Sequence, residues 1–218
     1  MPTNAEVMTF TSLVQDVKDY LERGDEADET VLRQIPRIIN NTERMLANRF
    51  KILGYLGSFT STMTTQENRI AKPQNWRSTA SLNYGTGLTM NNRKTLRERP
   101  YEYMRGIYPN DLDYGQPEFY CDYDLEHWLV LRTPDQPYHF EAMVYYLPNL
   151  LDEHNEQNYL TKYAPFCLLY GVLVGLESFL RNDGRIGTWK ALFQENFDAI
   201  NAEDLRRMAD RGMARTTT

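Results

Sequence analysis

The apolar positions of this 218-residue chain change their period twice. From Thr9 to Leu21, the residues Phe10, Leu13, Val14, Val17, Tyr20 and Leu21 recur at three- and four-residue spacing. That pattern predicts an amphipathic helix with Thr9 or Thr11 as its N-cap. Gly24-Asp25-Glu26 breaks the stripe, and a second one follows through Val31, Ile35, Ile38, Ile39, Met45, Leu46 and Phe50. Pro36 stands inside it and predicts a kink or a restart after a first short turn, because proline lacks the N–H of the helical ladder. From Tyr55 to about Leu96, threonines and serines alternate with Leu56, Phe59, Met63, Ile70, Trp76, Leu82 and Leu88, and Gly85 and Gly87 supply turns. Short strands are the reading there. A brief helix at Tyr101 to Tyr108 ends at Pro109-Asn110. Phe119 to Tyr123, His127 to Arg132 and His139 to Leu147 are rich in aromatic and β-branched residues, and turn residues separate them. They predict three antiparallel strands in meander order. Helical spacing returns from Asn158 to Leu180, stopped by Asp183-Gly184, and again after Thr188 as N-cap, with Trp189, Leu192, Phe193, Phe197 and Ile200 extended by Leu205 and Met208.

This order predicts an α+β fold. The early and late helices must pack on each other to bury their stripes, giving a helical bundle from residues 1–54 with 150–208. The middle, 55–149, becomes an inserted antiparallel β lobe. Residues 209–218 are small, basic and polar, and read as a flexible C-terminal arm.

Composition narrows the function. No apolar run approaches the roughly 20 residues of a membrane span, so the chain is expected neither to span nor to anchor in a membrane. The start, Met1-Pro2-Thr3-Asn4-Ala5-Glu6, lacks a basic region followed by an apolar core, so we expect no signal peptide and synthesis in the cytoplasm. Cys121 and Cys167 lie far apart and suit buried free thiols better than a disulfide framework. A net charge of −6 argues against a protein that wraps nucleic acid with its whole surface. The wall of a passage through which DNA slides is different, because negative or mixed charge keeps phosphate from sticking. Fifteen tyrosines tilt the expectation towards association, since tyrosine offers wide contact at little rotamer cost.

Candidate chemistry is sparse. His127, His139 and His154 lack the paired spacing of a zinc helix. Asp111 with Asp113, and Asp122 with Asp124, are two residues apart and in extended chain could hold a divalent ion, although turn chemistry beside Pro109 and Gly115 is the commoner use. Asp152-Glu153-His154-Asn155-Glu156 reads as a loop carrying a helix N-terminal cap. No glycine-rich phosphate loop and no nucleophile elbow is present, so no catalytic residue, metal or cofactor is expected. Two basic runs remain. Arg93, Lys94, Arg97 and Arg99 could meet phosphate or a neighbouring protein. Leu205, Arg206, Met208, Arg211, Met213 and Arg215 suit an arm that orders on a partner.

Several stretches carry a resemblance: Arg69-Ile70-Ala71-Lys72-Pro73-Gln74-Asn75-Trp76-Arg77, Pro117-Glu118-Phe119-Tyr120, His127-Trp128-Leu129-Val130, Thr133-Pro134-Asp135, Tyr145-Tyr146-Leu147-Pro148 and Tyr163-Ala164-Pro165-Phe166-Cys167-Leu168-Leu169-Tyr170. In this order the chain resembles the head-to-tail adaptor proteins of tailed bacteriophages, which sit below the portal. Arg132 departs from the apolar residue or proline expected before Thr133-Pro134-Asp135. The resemblance implies a structural virion protein and not an enzyme. It also implies a homo-oligomeric ring, expected to be a dodecamer, in the virion neck around the DNA channel, with the portal on one side and a tail or nozzle protein on the other. The arm from Leu205 to Arg215 is expected to bind the portal, and Arg93, Lys94, Arg97 and Arg99 to face the channel DNA or a neighbouring subunit. A tail-terminator or tail-tube ring subunit is the alternative from the same class. A metal-dependent enzyme with its site in the β lobe, at Asp122, is the alternative from another.

Overall fold

A computed structural model describes residues 7–21, 29–49, 53–87, 89–179 and 184–213. The expected roles of Gly24, Asp25, Glu26, Phe50, Leu88, Leu180, Asp183 and Arg215 fall outside the described residues. The protein is α+β, and its chain divides into two compact units, Met1–Gly54 with Pro148–Thr218 and Tyr55–Leu147.

The first unit begins with α1 (Phe10–Tyr20). Thr9 caps it in a reciprocal box with Ser12, each side chain accepting the other's backbone N–H. Phe10, Leu13 and Val17 form its buried stripe. Helix α2 (Glu29–Arg49) contains Pro36 and is assigned as one helix through it, with no restart. Its buried stripe carries Ile35, Ile38, Ile39, Leu46 and Ala47.

The second unit is built on a sheet of β1 (Leu56–Met63), β2 (Arg69–Ala71), β3 (Trp76–Thr86), β4 (Asn91–Glu98), β6 (Phe119–Asp122), β7 (His127–Leu131) and β9 (Tyr138–Tyr146). Helix α3 (Tyr101–Ile107) follows β4, and the two-residue strands β5 (Tyr114–Gly115) and β8 (Thr133–Pro134) pair in parallel with each other. The sheet order is β1-β9-β3-β4-β6-β7-β2. All its pairings are antiparallel except β4 with β6, where Arg97 lies opposite Phe119.

The expected meander is therefore wrong in its last step. β9 does not pair with β7 but inserts between β1 and β3. Both edges of β7 are already taken, by β6 and β2, and the nine-residue β9 finds two long partners instead. Burial explains why β7 reads as a continuous apolar run. Trp128 and Val130 enter a core with Tyr84, Tyr120, Tyr138 and Phe140, whereas Leu129 and Leu131 enter a second core with Met104, Phe119 and Cys121. A strand covered on both faces loses the alternation that marks a one-sided strand.

The chain returns to the first unit through α4 (Tyr159–Tyr163), α5 (Pro165–Gly175), a short 3₁₀ turn at Leu176–Phe179, and α6 (Ile186–Met213). The single helix expected from Asn158 is thus two. Pro165 starts α5 because it cannot donate into the preceding turn but suits the first position of a new one. Asn158 caps α4 by accepting from Leu160 and Thr161 backbone N–H groups. Thr188 is no cap, since α6 begins two residues earlier at Ile186. Helix α6 also runs on to Met213, where a flexible arm was expected from residue 209; Ala, Arg and Met are good helix formers and continue it.

Helix α5 meets α1, α2, α4 and α6, and Cys167, Leu168, Leu169, Val172 and Leu173 are all buried on it. Being apolar on every side, it is the centre of its unit. Gly171 permits the close approach: a Cβ there would lie 2.7 Å from Thr42 Cγ2 on α2 and 3.1 Å from Phe193 Cε2 on α6.

Candidate interaction surfaces

The candidate acids of the second unit bind backbone and side-chain groups around them. Asp124 Oδ1 accepts the backbone N–H groups of Glu126 and His127 at 2.7 and 2.6 Å, and its carboxylate also meets His127 Nδ1 at 3.1 Å. Asp122 faces Lys72, with Nζ–Oδ1 3.2 Å. Asp111 receives Arg105 at 2.5 Å and Asn68 at 2.7 Å, and the Arg105 hydrogen bond holds its carboxyl below the usual range. The carboxylates of Asp122 and Asp124 thus reach different partners. Among the described residues, no group of three or more His, Cys, Asp or Glu side chains is placed to hold a metal ion. His139 Nδ1 meets Thr62 Oγ1 at 2.8 Å, across the β1–β9 pair. Both cysteines are buried and free, and burial pushes the Cys167 thiol up to about 12.

The acidic loop does cap a helix, but a distant one. Glu156 accepts from the Thr11 backbone N–H at 2.9 Å and from its hydroxyl at 2.6 Å, while its own carbonyl takes the Phe10 N–H at 2.8 Å. Its carboxylate therefore sits at the positive end of α1, and these bonds hold its pKa down. Asp152 closes the loop by accepting from His154 and Asn155 backbone N–H groups.

The stretch from Arg69 to Arg77 is an ordered cage around a buried lysine. Lys72 Nζ lies 3.4 Å from the Trp76 ring centroid and donates to the Asp124 carbonyl at 2.7 Å, besides meeting Asp122. Burial lowers its pKa, and Asp122 pulls the other way. Other residues of the resemblance do similar work. The Pro117 carbonyl accepts the Tyr84 hydroxyl at 2.9 Å, Thr133 Oγ1 donates to the Asp111 carbonyl, and Asp135 accepts the Tyr138 hydroxyl at 2.7 Å. Arg132 is exposed between β7 and β8, with its guanidinium 5.5 Å from the Tyr108 ring centroid.

Arg93, Lys94 and Arg97 lie on β4, whose only buried residue is Leu96, and Arg99 follows the strand. Arg93 is bound to Glu141 of β9 at 2.6 Å, and Lys94 donates to Gln116. Lys94 and Arg97 line a polar cavity of about 690 Å³ with Thr95, Gln116, Glu118, Arg132 and Asp135. Arg99 lies over the Tyr103 ring at 5.7 Å. The run is thus split between an ion pair across the sheet, a cavity wall and the α3 surface.

That α3 surface was not read from the sequence. Tyr101, Tyr103, Ile107 and Tyr123 are exposed there, Tyr101 packs on Tyr123 at 6.1 Å, and arginines cover the rings: Arg69 over Tyr123 at 4.7 Å and Arg105 over Tyr101 at 5.5 Å. The signal was the run Tyr101-Glu102-Tyr103-Met104-Arg105, in which a seven-residue helix buries Met104 alone and turns its tyrosines outward. In the helical unit, Tyr163 and Phe166 are 69% and 57% exposed, side by side with Tyr159 and Tyr170. Leu205 is 60% exposed and Arg206 is exposed. Met208, Arg211 and Met213 belong to the backbone of α6. Exposed Tyr, Phe and Arg in groups mark surfaces that associate.

The family described as SU10 adaptor protein matches residues 8–217. No curated protein matches the chain.

Proposed function

Because the chain belongs to the SU10 adaptor protein family, whose members are phage head-to-tail adaptors, we propose that it builds a ring in the virion neck, joins the portal to the tail, and encircles the passage for DNA. The observation that carries this reading is the family match, which runs from residue 8 to residue 217 and so takes in both units. The arrangement of the site residues supports it. Carboxylates and the buried lysine are spent on holding loops, while tyrosine, phenylalanine and arginine stand on the surface.

In this reading the helices of the first unit form a bundle that makes the ring wall, and residues 55–149 are a β lobe inserted in it and directed towards the tail. Each subunit uses two different surfaces, and a fixed rotation between neighbours closes the ring, expected at twelve members. The end of α6 from Leu205, through Arg206, Met208, Arg211 and Met213, and on to Arg215 binds the portal. Helix already formed to Met213 lowers the ordering cost of that contact. Arg97 and Lys94 face a neighbouring subunit or the channel, whereas Arg93 is held back by Glu141.

Deleting Ala209 to Thr218 is the test. Pull-down with the cognate portal should lose the chain, and circular dichroism should lose no more helix than the deleted end of α6; undiminished binding overturns the assignment of the arm. Electron microscopy of the particle separates the adaptor position from that of a tail-terminator or tail-tube ring.

A further inference from the structure

Among the described residues, the sheet has one long strand with a neighbour on one side only. β1 pairs with β9 in unbroken register from Leu56↔Tyr145 to Met63↔Tyr138. The opposite edge, β2, is three residues long. A free edge presents a row of unpaired N–H and C=O groups, and natural sheets blunt such edges with Lys, Pro, bulges or very short strands. β1 has none of these devices. Its sequence Leu56-Gly57-Ser58-Phe59-Thr60-Ser61-Thr62-Met63 carries no charge and no proline, and the register shifts of the sheet fall along β3. Ser58, Thr60, Ser61 and Thr62 are exposed.

We propose that the open edge of β1 docks β1 of a second copy of this chain, antiparallel and related by a two-fold axis through the strand pair. In an antiparallel pair, residues directly opposite share a face. A two-fold axis perpendicular to the sheet keeps each face on its own side, so residues of like parity meet. One face carries Phe59 and Met63, packed towards Trp128 and Phe140. The other carries Ser58, Thr60 and Thr62. The incoming strand therefore covers the half-exposed Phe59 with its own odd-numbered residues and sets threonine and serine against threonine and serine. With no charge on the strand, no like charges meet. The occupant is thus a copy of the same strand, selected by backbone pairing and by matched faces.

A ring made by one repeated rotation cannot contain this two-fold contact. The pair is a form of the free chain, it protects the edge before assembly, and it must open when a ring is built. The strand pairing itself does not rest on the adaptor reading.

Sedimentation of the full chain over a dilution series tests it. A contact this small should give a dimer that dissociates on dilution, and amide exchange along Leu56–Met63 should slow as concentration rises. Thr60→Lys, which sets a positive charge on the paired strand of each copy, should remain monomeric, while Thr60→Val should still pair. A monomer at every concentration with unchanging β1 exchange overturns the proposal, as does an oligomer that Thr60→Lys leaves intact. Portal binding by the wild-type chain is read separately: its absence would count against the adaptor reading and leave the strand pairing standing.

Discussion

Glu43 and Asn158 lie 115 residues apart in sequence, and the Asn158 amide donates to the Glu43 carboxylate at 2.5 Å. The same carboxylate accepts the Leu151 backbone N–H at 2.9 Å, so one fully buried acid on α2 holds both ends of the segment that leads into α4. Burial pushes its pKa up to about 7, against the pull of the two hydrogen bonds.

This acid makes stability depend on pH in an unusual direction. Its folded pKa is above the unfolded value of 4.5, so the folded state binds the extra proton. The contribution is therefore complete below about pH 4.5 and is lost as pH rises through about 7. The whole swing is about 3 kcal/mol. Glu43→Gln, which keeps an acceptor and cannot ionise, should gain melting temperature over the wild type at pH 8 and lose that advantage at pH 5. A difference between the two proteins that is flat with pH would refute the assignment. Glu43→Ala should cost about 1–3 kcal/mol at pH 5 by leaving the Leu151 N–H without a partner, and less at pH 8, where the wild type has lost the contribution of the protonated acid.

The start of α1 is held from both sides, by its own box and by Glu156. Thr9→Ala should cost about 1 kcal/mol. Glu156 has the ordinary acid sign: its pKa is lowered by Thr11, so its help is present above the unfolded pKa and disappears as pH falls through the folded one. Glu156→Gln should reduce amide protection in α1, measured by hydrogen exchange at neutral pH, and make little difference in acid.

Gly171 tests the packing of the helical unit. With Thr42 Cγ2 only 2.7 Å from a built Cβ, Gly171→Ala should destabilise by about 1–3 kcal/mol despite the better helix propensity of alanine. Adding Thr42→Ser removes the methyl in the way and should restore part of the loss in a denaturation series. If Gly171→Ala raises stability, the contact is not as close as described.

Lys72 tests the cage in the β unit. Lys72→Ala removes the contacts to Asp122, the Asp124 carbonyl and the Trp76 face, and should cost roughly 2 kcal/mol. Lys72→Arg should be little better, since a planar guanidinium does not fit a site shaped for a compact ammonium. Near-ultraviolet circular dichroism would report the changed setting of Trp76 and Trp128. An unchanged spectrum and melting curve would show that the cage is dispensable.

Local signals are legible in the sequence, and long-range ones are not. The Thr9 cap, the extent of α1 and the change of period at Tyr55 follow from neighbours a few residues apart. The place of β9 depends on which edges β6, β7 and β2 leave free, and that competition is not written in β9 itself. Pro165 was a visible sign of a helix start, outweighed by the apolar spacing on both sides of it. In the candidate surfaces, the arginines of β4 were found by composition, yet Arg93 was already committed to Glu141 from a strand far off in sequence. The outward tyrosines of α3 needed the knowledge that Met104 is the residue turned inward.

The pairing of Leu56 with Tyr145 places the first strand of the β unit beside the last, so the chain enters and leaves that unit at neighbouring points. A segment with adjoining ends behaves as a cassette. A connection of another length between those two points leaves the flanking helices unstretched. The same closeness permits a laboratory graft in which residues 55–147 are replaced by a short linker while the flanking helical sequence is retained.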